Sequence, residues 1–324
     1  MTDTPKIGLV LGSGAARGWV HVGVLHALDE LGIRPAVMTG CSAGALVGGA
    51  HLLGILPELE KWARELGPLG ALKEFAFSWS RAGVIDPRPA FEAFREADRK
   101  IEDLPIPFGI SATDLATGEE VRLTSGSTID AARASSAIPI ILHAARLSAE
   151  HGDRWLVDGA LTNPVPVDLA LELGAEKVIA VDLQARSRTL QRFEAPRTRA
   201  VVVREQQPPP APGILPPQIT QLLHRTQTWV DEQVALAKSK MDAKPHFFET
   251  AIAASDIYQA QLARAKLALT TPDIIIAPDL RDFPPTAFDR PDEMIAVGYE
   301  ETLALKDTLL ALLEPGSPTV AEPA

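Results

Sequence analysis

The sequence predicts an α/β fold: a three-layer α/β/α sandwich whose mostly parallel central sheet lies between two layers of helices, with a helical elaboration toward the C-terminus. Apolar runs of strand length recur at residues 7–11, 34–39, 108–113 and 176–183, and helix-forming stretches separate them. The first two runs each pass through a glycine-containing turn straight into a helix. With 324 residues, 46% of them hydrophobic and 23% charged, the chain can bury a substantial core.

Taken in order, Ile7-Gly8-Leu9-Val10-Leu11 is a buried strand, Gly12-Ser13-Gly14-Ala15-Ala16-Arg17-Gly18 a glycine-rich loop, and Trp19, Val22, Leu25, Leu28 and Leu31 mark the apolar face of a helix. A second strand at 34–39 leads into Gly40-Cys41-Ser42-Ala43-Gly44, and residues 45–56 form the next helix. Residues 108–113 and 121–123 pair around a turn at 114–118 that Asp114 braces. The run Trp155-Leu156-Val157 is strand-like and ends in Asp158-Gly159-Ala160; a helix at 166–173 and a buried strand at 176–183 follow. Prolines 208, 209, 210, 212, 216 and 217 make 206–218 an extended, polyproline-like connector. Beyond it lie helices at 219–241 and 255–268, a strand at 273–278 that returns to the core sheet, a helix at 291–313 and a disordered tail at 314–324. The expected organisation is thus an α/β core followed by a connector over 186–218 and a helical elaboration over 219–313.

Three segments carry chemistry. In Gly40-Cys41-Ser42-Ala43-Gly44 the flanking glycines let two chain segments close around a strained serine, and the helix that follows favours negative charge beside it, so Ser42 is the candidate nucleophile. The loop from Gly12 to Gly18 exposes backbone N–H groups at a helix start, which suits either a phosphate or the oxyanion of an acyl-transfer intermediate. The dinucleotide pattern is not met: position 17 is Arg, the third glycine falls at Gly18, and Asp29 and Glu30 sit on the helix rather than at the end of the next strand. In the third segment Asp158 ends a strand and is followed by two small residues that allow close approach to a second loop.

The order of glycine loop, serine elbow and Asp-Gly-Ala resembles the patatin-like phospholipase family. Ala134-Ser135-Ser136-Ala137-Ile138-Pro139 and Asp158-Gly159-Ala160-Leu161-Thr162-Asn163-Pro164 are similar to that family's pattern, and the resemblance covers residues 6–185. It implies a serine esterase with a Ser42–Asp158 dyad and an acyl-serine intermediate. Gly12, Ser13, Gly14, Ala15, Ala16 and Arg17 would form its oxyanion hole, with Gly40, Gly44, Gly159 and Ala160 supporting the motifs. No histidine, cofactor or metal is required. The chain departs from the pattern at Ser13 and Ala160, where many members carry glycine, and Ser13 would have to tolerate the loop's backbone angles. Arg17 either orders the loop or meets a lipid phosphate.

An aspartate of ordinary pKa near 3.9 is a poor base for a hydroxyl, so the dyad needs burial to raise it. The rival triad would draw its base from His224 or His246, which follow Asp158 in chain order. His21 lies near enough to the glycine loop to order it, and His26 and His51 are packing or surface residues. Cys41, the one cysteine, excludes an intrachain disulfide and reads as a packing residue.

A net charge of −11 argues against nucleic acid and against a broad basic membrane footprint, so any contact with a membrane surface should be local and apolar; the resemblance implies a lipid or other acyl ester as the partner. Residues 36–56 carry no charge and are long enough to span a bilayer, yet five glycines and the serine elbow fall within them, so a strand and a core helix explain the run better. The N-terminus has no signal-peptide pattern, and a cytoplasmic protein is expected. Thioester hydrolysis or acyl transfer on the same site, and a lipid-binding protein without turnover, are the alternatives; a Ser42–Asp158 separation beyond about 4 Å would favour the last. Substrate identity, chain length and oligomeric state are not encoded in any motif.

Overall fold

A computed structural model describes residues 5–65, 86–147, 153–187 and 247–314. The chain divides into one compact unit of Met1–Thr189 with Ala254–Ala324 and a second of Leu190–Ala253. Of the second, only 247–253 are described.

The first unit is built on a sheet of eight strands: β1 (Ile7–Leu11), β2 (Val37–Cys41), β3 (Phe108–Asp114), β4 (Glu120–Leu123), β5 (Ala145–Leu147), β6 (Arg154–Asp158), β7 (Lys177–Val181) and β8 (Ile274–Ile276). Strands β3, β2, β1, β7 and β8 run parallel in that order, whereas β4 and β6 pair with β3 antiparallel and β5 extends β6. The helices are α1 (Val20–Glu30), α2 (Ala43–Leu53), α3 (Leu56–Glu65), α4 (Arg88–Glu92), α5 (Thr128–Ser135), α6 (Val167–Glu172), α7 (Phe247–Leu269), α8 (Pro291–Ala304) and α9 (Lys306–Ala311). Alternation along β1 sorts them into layers. Leu9 and Leu11 join the core made with α1, α2, α5 and α8; Val10 joins a smaller core with α6 and α7. The three-layer α/β/α reading holds, with α7, β8 and α8 supplied from the C-terminal part.

The pairing of β3 explains how the two motif strands meet. Residues Ile110 to Thr113 pair with β4 along one edge of β3, so β2 and β6 must share the opposite edge. On that edge Cys41 of β2 lies opposite Ser111, and Asp158 of β6 lies opposite the next residue, Ala112. Since β2 is parallel to β3 and β6 antiparallel, their C-terminal ends abut end to end. The residue that follows β2 is Ser42.

Several boundaries differ from the sequence expectation. The second strand covers 37–41 rather than 34–39, because Pro35 has no N–H for the ladder. Helix α2 stops at Leu53, capped by Gly54 at φ 76°, and α3 begins afresh at Leu56. The helix expected over 291–313 breaks at Leu305 into α8 and α9. The uncharged run 36–56 is divided between β2 and α2. Among the described residues no helix is long and apolar enough to cross a membrane. The proline-rich segment 206–218, the helix expected at 219–241, His224 and His246 lie outside the described residues.

Candidate active site

Ser42 sits between β2 and α2 with φ 53° and ψ −118°, a conformation that L-residues rarely adopt and that lifts its side chain out of the turn. Close packing sustains it. A Cβ on Gly44 would stand 2.0 Å from the Leu11 carbonyl oxygen, so this turn can press against β1 only with glycine there. The Ser42 N–H donates to Ser135 Oγ at 2.8 Å, and that hydroxyl donates to the Ser111 carbonyl at 2.6 Å. Ser135, at the end of α5, thereby ties the elbow to β3. Cys41 is buried, consistent with a packing role, and burial pushes its thiol up.

Ser42 Oγ donates to Asp158 Oδ2 at 2.8 Å. Asp158 is 3% exposed; its other oxygen accepts from the Ala160 N–H at 2.9 Å, and its backbone carbonyl accepts from Thr113 Oγ1 at 2.9 Å. Burial pushes its carboxyl from 3.8 up to about 6, against the downward pull of the Ala160 and Ser42 hydrogen bonds. The small residue after the aspartate is required: a Cβ on Gly159 would lie 2.1 Å from the Ser111 carbonyl oxygen.

The glycine loop passes from β1 into a short 3-10 turn, Ala15–Trp19. Four of the six amides expected to bind an oxyanion are already engaged: Gly12 N–H with Val181 O, Ser13 with Pro164 O, Ala16 with Pro285 O and Arg17 with Gly14 O. Among the described residues, the amides of Gly14 and Ala15 have no such partner, and Ala15 lines the cavity that contains Ser42. The left-handed position of the loop is Ala15, at φ 50°, and not Ser13. His21 is fully buried, and burial lowers its pKa to about 4, so the neutral ring donates from Nε2 to the Gly12 carbonyl at 2.7 Å and orders the loop.

Arg17 is 0% exposed and orders the loop from beneath, which leaves it no access to a lipid phosphate. Its guanidinium donates to both oxygens of Asp256 at 2.8 and 2.9 Å, to Gln184 Oε1 at 3.0 Å and to the Phe283 carbonyl at 2.9 Å. Ser13 Oγ donates to Gln259 Oε1 at 3.0 Å. Asp256 and Gln259 are one turn apart on α7, and Tyr258 of the same helix donates to the Leu161 carbonyl just after Asp158. The sequence motifs missed α7 and Ser135 as supports of the site. A fully buried arginine demands an acidic partner, but no local pattern distinguishes Asp256 among the chain's 42 acidic residues.

Beside Ser42 opens an apolar cavity of about 110 Å³, walled by Ala43, Leu46, Trp62, Phe91, Phe94 and Ile138 among others. The site thus offers a hydroxyl held on a carboxylate, two unengaged amides on a neighbouring loop, and a hydrocarbon-lined recess.

Residues 9–171 match the family described as patatin-like phospholipase. An uncharacterised NTE family protein of Mycobacterium tuberculosis is 38% identical over 184 residues, 56% of this chain and 50% of its own. Lysophospholipase NTE1 of Mycosarcoma maydis is 33% identical over 186 residues, 55% of this chain and 10% of its own. Neuropathy target esterase sws of Drosophila melanogaster is 28% identical over 191 residues, 57% of this chain and 13% of its own. The chain therefore spans about half the length of the mycobacterial relative and a small part of the other two. Ser42, Asp158 and the glycine loop fall inside the matched residues, Asp256 and Gln259 outside them. With its family match spanning half the chain and both motif strands, the chain belongs to the patatin-like phospholipase family.

Proposed function

We propose that the protein is a serine acyl hydrolase of the phospholipase A or lysophospholipase type, working through a Ser42–Asp158 dyad. The observation that carries this reading is the 2.8 Å hydrogen bond from Ser42 Oγ to a buried carboxylate whose pKa is raised to about 6. A base with that pKa is far better matched to neutral pH than an ordinary aspartate. As Ser42 Oγ attacks the ester carbonyl carbon, its proton passes to Asp158 Oδ2 and the carbonyl π electrons move onto oxygen. The Gly14 and Ala15 amides, without a backbone partner among the described residues, are the donors left to receive that oxyanion. Collapse expels the alkoxide, which takes the proton from Asp158 and leaves an acyl-Ser42 ester. Water then attacks the acyl carbon as Asp158 accepts its proton, and collapse returns that proton to Ser42 with release of the fatty acid.

The apolar cavity beside Ser42 supports an acyl chain as the group bound, and the names lysophospholipase and esterase carried by two relatives are consistent with it. Ile140, 52% exposed between the cavity residues Ile138 and Leu142, supports a local apolar contact with a lipid surface. The short dyad distance favours turnover over a lipid carrier with a degenerate site. The test is hydrolysis of p-nitrophenyl acyl esters and lysophospholipids by the wild type, Ser42→Ala and Asp158→Asn. Turnover confined to the wild type is expected; activity that survives in Ser42→Ala overturns the site.

A further inference from the structure

A second apolar cavity, about 30 Å³, lies behind the first and is lined by Gly49, Ala50 and Leu53 of α2 and by Ile129 and Ala132 of α5. Four side chains, Leu46, Leu59, Phe91 and Phe94, wall both cavities, so the two share a wall of hydrocarbon side chains that can change rotamer. Among the described lining residues the one polar side chain, Thr128, turns its hydroxyl to the Arg99 carbonyl at 2.7 Å and its methyl toward Gly49. Among the described residues, no lining group of the inner cavity offers a hydrogen bond to a headgroup, a metal or a water, and a recess of that kind stays dry and takes hydrocarbon. The residues facing the cavities step down α2 from its N-terminus: Ala43 and Leu46 outside, then Leu46, Gly49, Ala50 and Leu53 inside.

We propose that the inner cavity is the terminal part of the acyl-chain site and gauges the length of chain cleaved; the inference rests on the acyl-hydrolase reading of Ser42. The eight residues from Ser42 to Ala50 rise about 12 Å along α2, and the eleven to Leu53 about 16 Å. An extended chain advances about 1.25 Å per C–C bond of ~1.5 Å, so a chain esterified to Ser42 ends in this cavity at roughly ten to thirteen carbons. Gly49, Ala50 and Ala132 leave the space open because their side chains are small, and the lining ends at Leu53 and Ile55.

The experiment compares kcat/KM for p-nitrophenyl dodecanoate and butyrate on each of three proteins, wild type, Ala50→Leu and Gly49→Ala, with fluorophosphonate labelling of Ser42 to establish that each is folded. The readout is the dodecanoate-to-butyrate ratio within each protein. Filling the inner cavity should lower that ratio at least about tenfold in Ala50→Leu, since the lost contacts amount to more than one methylene. Gly49→Ala, whose added Cβ would stand 3.2 Å from the Thr128 methyl, should lower it less. A ratio unchanged in both labelled variants overturns the gauge while leaving the hydrolase intact. A wild type that labels with no probe and cleaves no ester of any length removes the hydrolase reading, and the gauge with it.

Discussion

Replacing Asp158 with Asn should stop turnover and stabilise the protein, and pH separates that stabilisation from any packing effect. The carboxyl titrates at about 6 in the fold against an ordinary 3.8, chiefly because it is buried. At about 1.4 kcal/mol per pKa unit, holding it ionised costs the folded state on the order of 3 kcal/mol. The sign follows from which state loses the proton first. Below 3.8 both states are protonated and there is no cost; between 3.8 and about 6 the unfolded chain ionises ahead of the native one, and stability falls as pH rises. Above the folded value the full cost is present. Asparagine never ionises, and its Oδ1 can keep the hydrogen bond from the Ala160 N–H. Urea unfolding of the two proteins should therefore show Asp158→Asn more stable by roughly 3 kcal/mol at about pH 8, with the advantage shrinking toward zero by about pH 4. An advantage of equal size at both values, or a loss of stability at the higher one, would rule out a carboxylate strained by burial, which can produce neither.

Three further outcomes are expected. The pH profile of kcat/KM should rise as Asp158 loses its proton, with a midpoint at about 6 and a plateau above it; a profile without that inflection contradicts Asp158 as the base. Asp256→Ala leaves the buried Arg17 guanidinium without its carboxylate and should cost about 3–5 kcal/mol, read as a large drop in melting temperature. Asp256→Asn, which keeps an acceptor, should lose less, and wild-type melting of the alanine variant would show that the pair does not hold the loop. Ser135→Ala strands the Ser42 N–H and loosens the elbow; steady-state kinetics should show kcat down about tenfold with KM little changed, for a buried unpaired donor is worth about 1–3 kcal/mol. A raised KM with kcat intact would place Ser135 in substrate binding instead.

What could be read in the sequence was what is local. The serine elbow and the Asp-Gly-Ala turn each compress their geometric requirement into a few residues, because a strained φ and a close backbone approach can be met only by particular neighbours, Gly44 and Gly159 among them. The strand order was accessible only as a class. That β2 and β6 share one edge of β3, end to end, depends on register, which leaves no mark within either strand. The supports of the site were hidden for the same reason. Ser135 and Asp256 act through hydrogen bonds to residues 93 and 239 positions away, and a polar residue on a helix reads the same whether it meets solvent or a buried partner. The glycine loop shows the limit from the other side. Its composition marks it as a source of free amides, but which amides are engaged is decided by carbonyls at Val181, Pro164, Pro285 and Gly14, leaving, among the described residues, the amides of Gly14 and Ala15.

The reading of this site stands or falls on whether Ser42 carries the acyl group and needs Asp158 to do so. Peptide mass spectrometry after rapid quenching of a slowly deacylated p-nitrophenyl ester tests both at once. An acyl adduct is expected on the peptide containing Ser42 in the wild type, and none in Ser42→Ala or Asp158→Asn at the same quench time. An adduct on another residue would remove Ser42 as the nucleophile, and equally fast acylation of Ser42 in Asp158→Asn would remove Asp158 as its base.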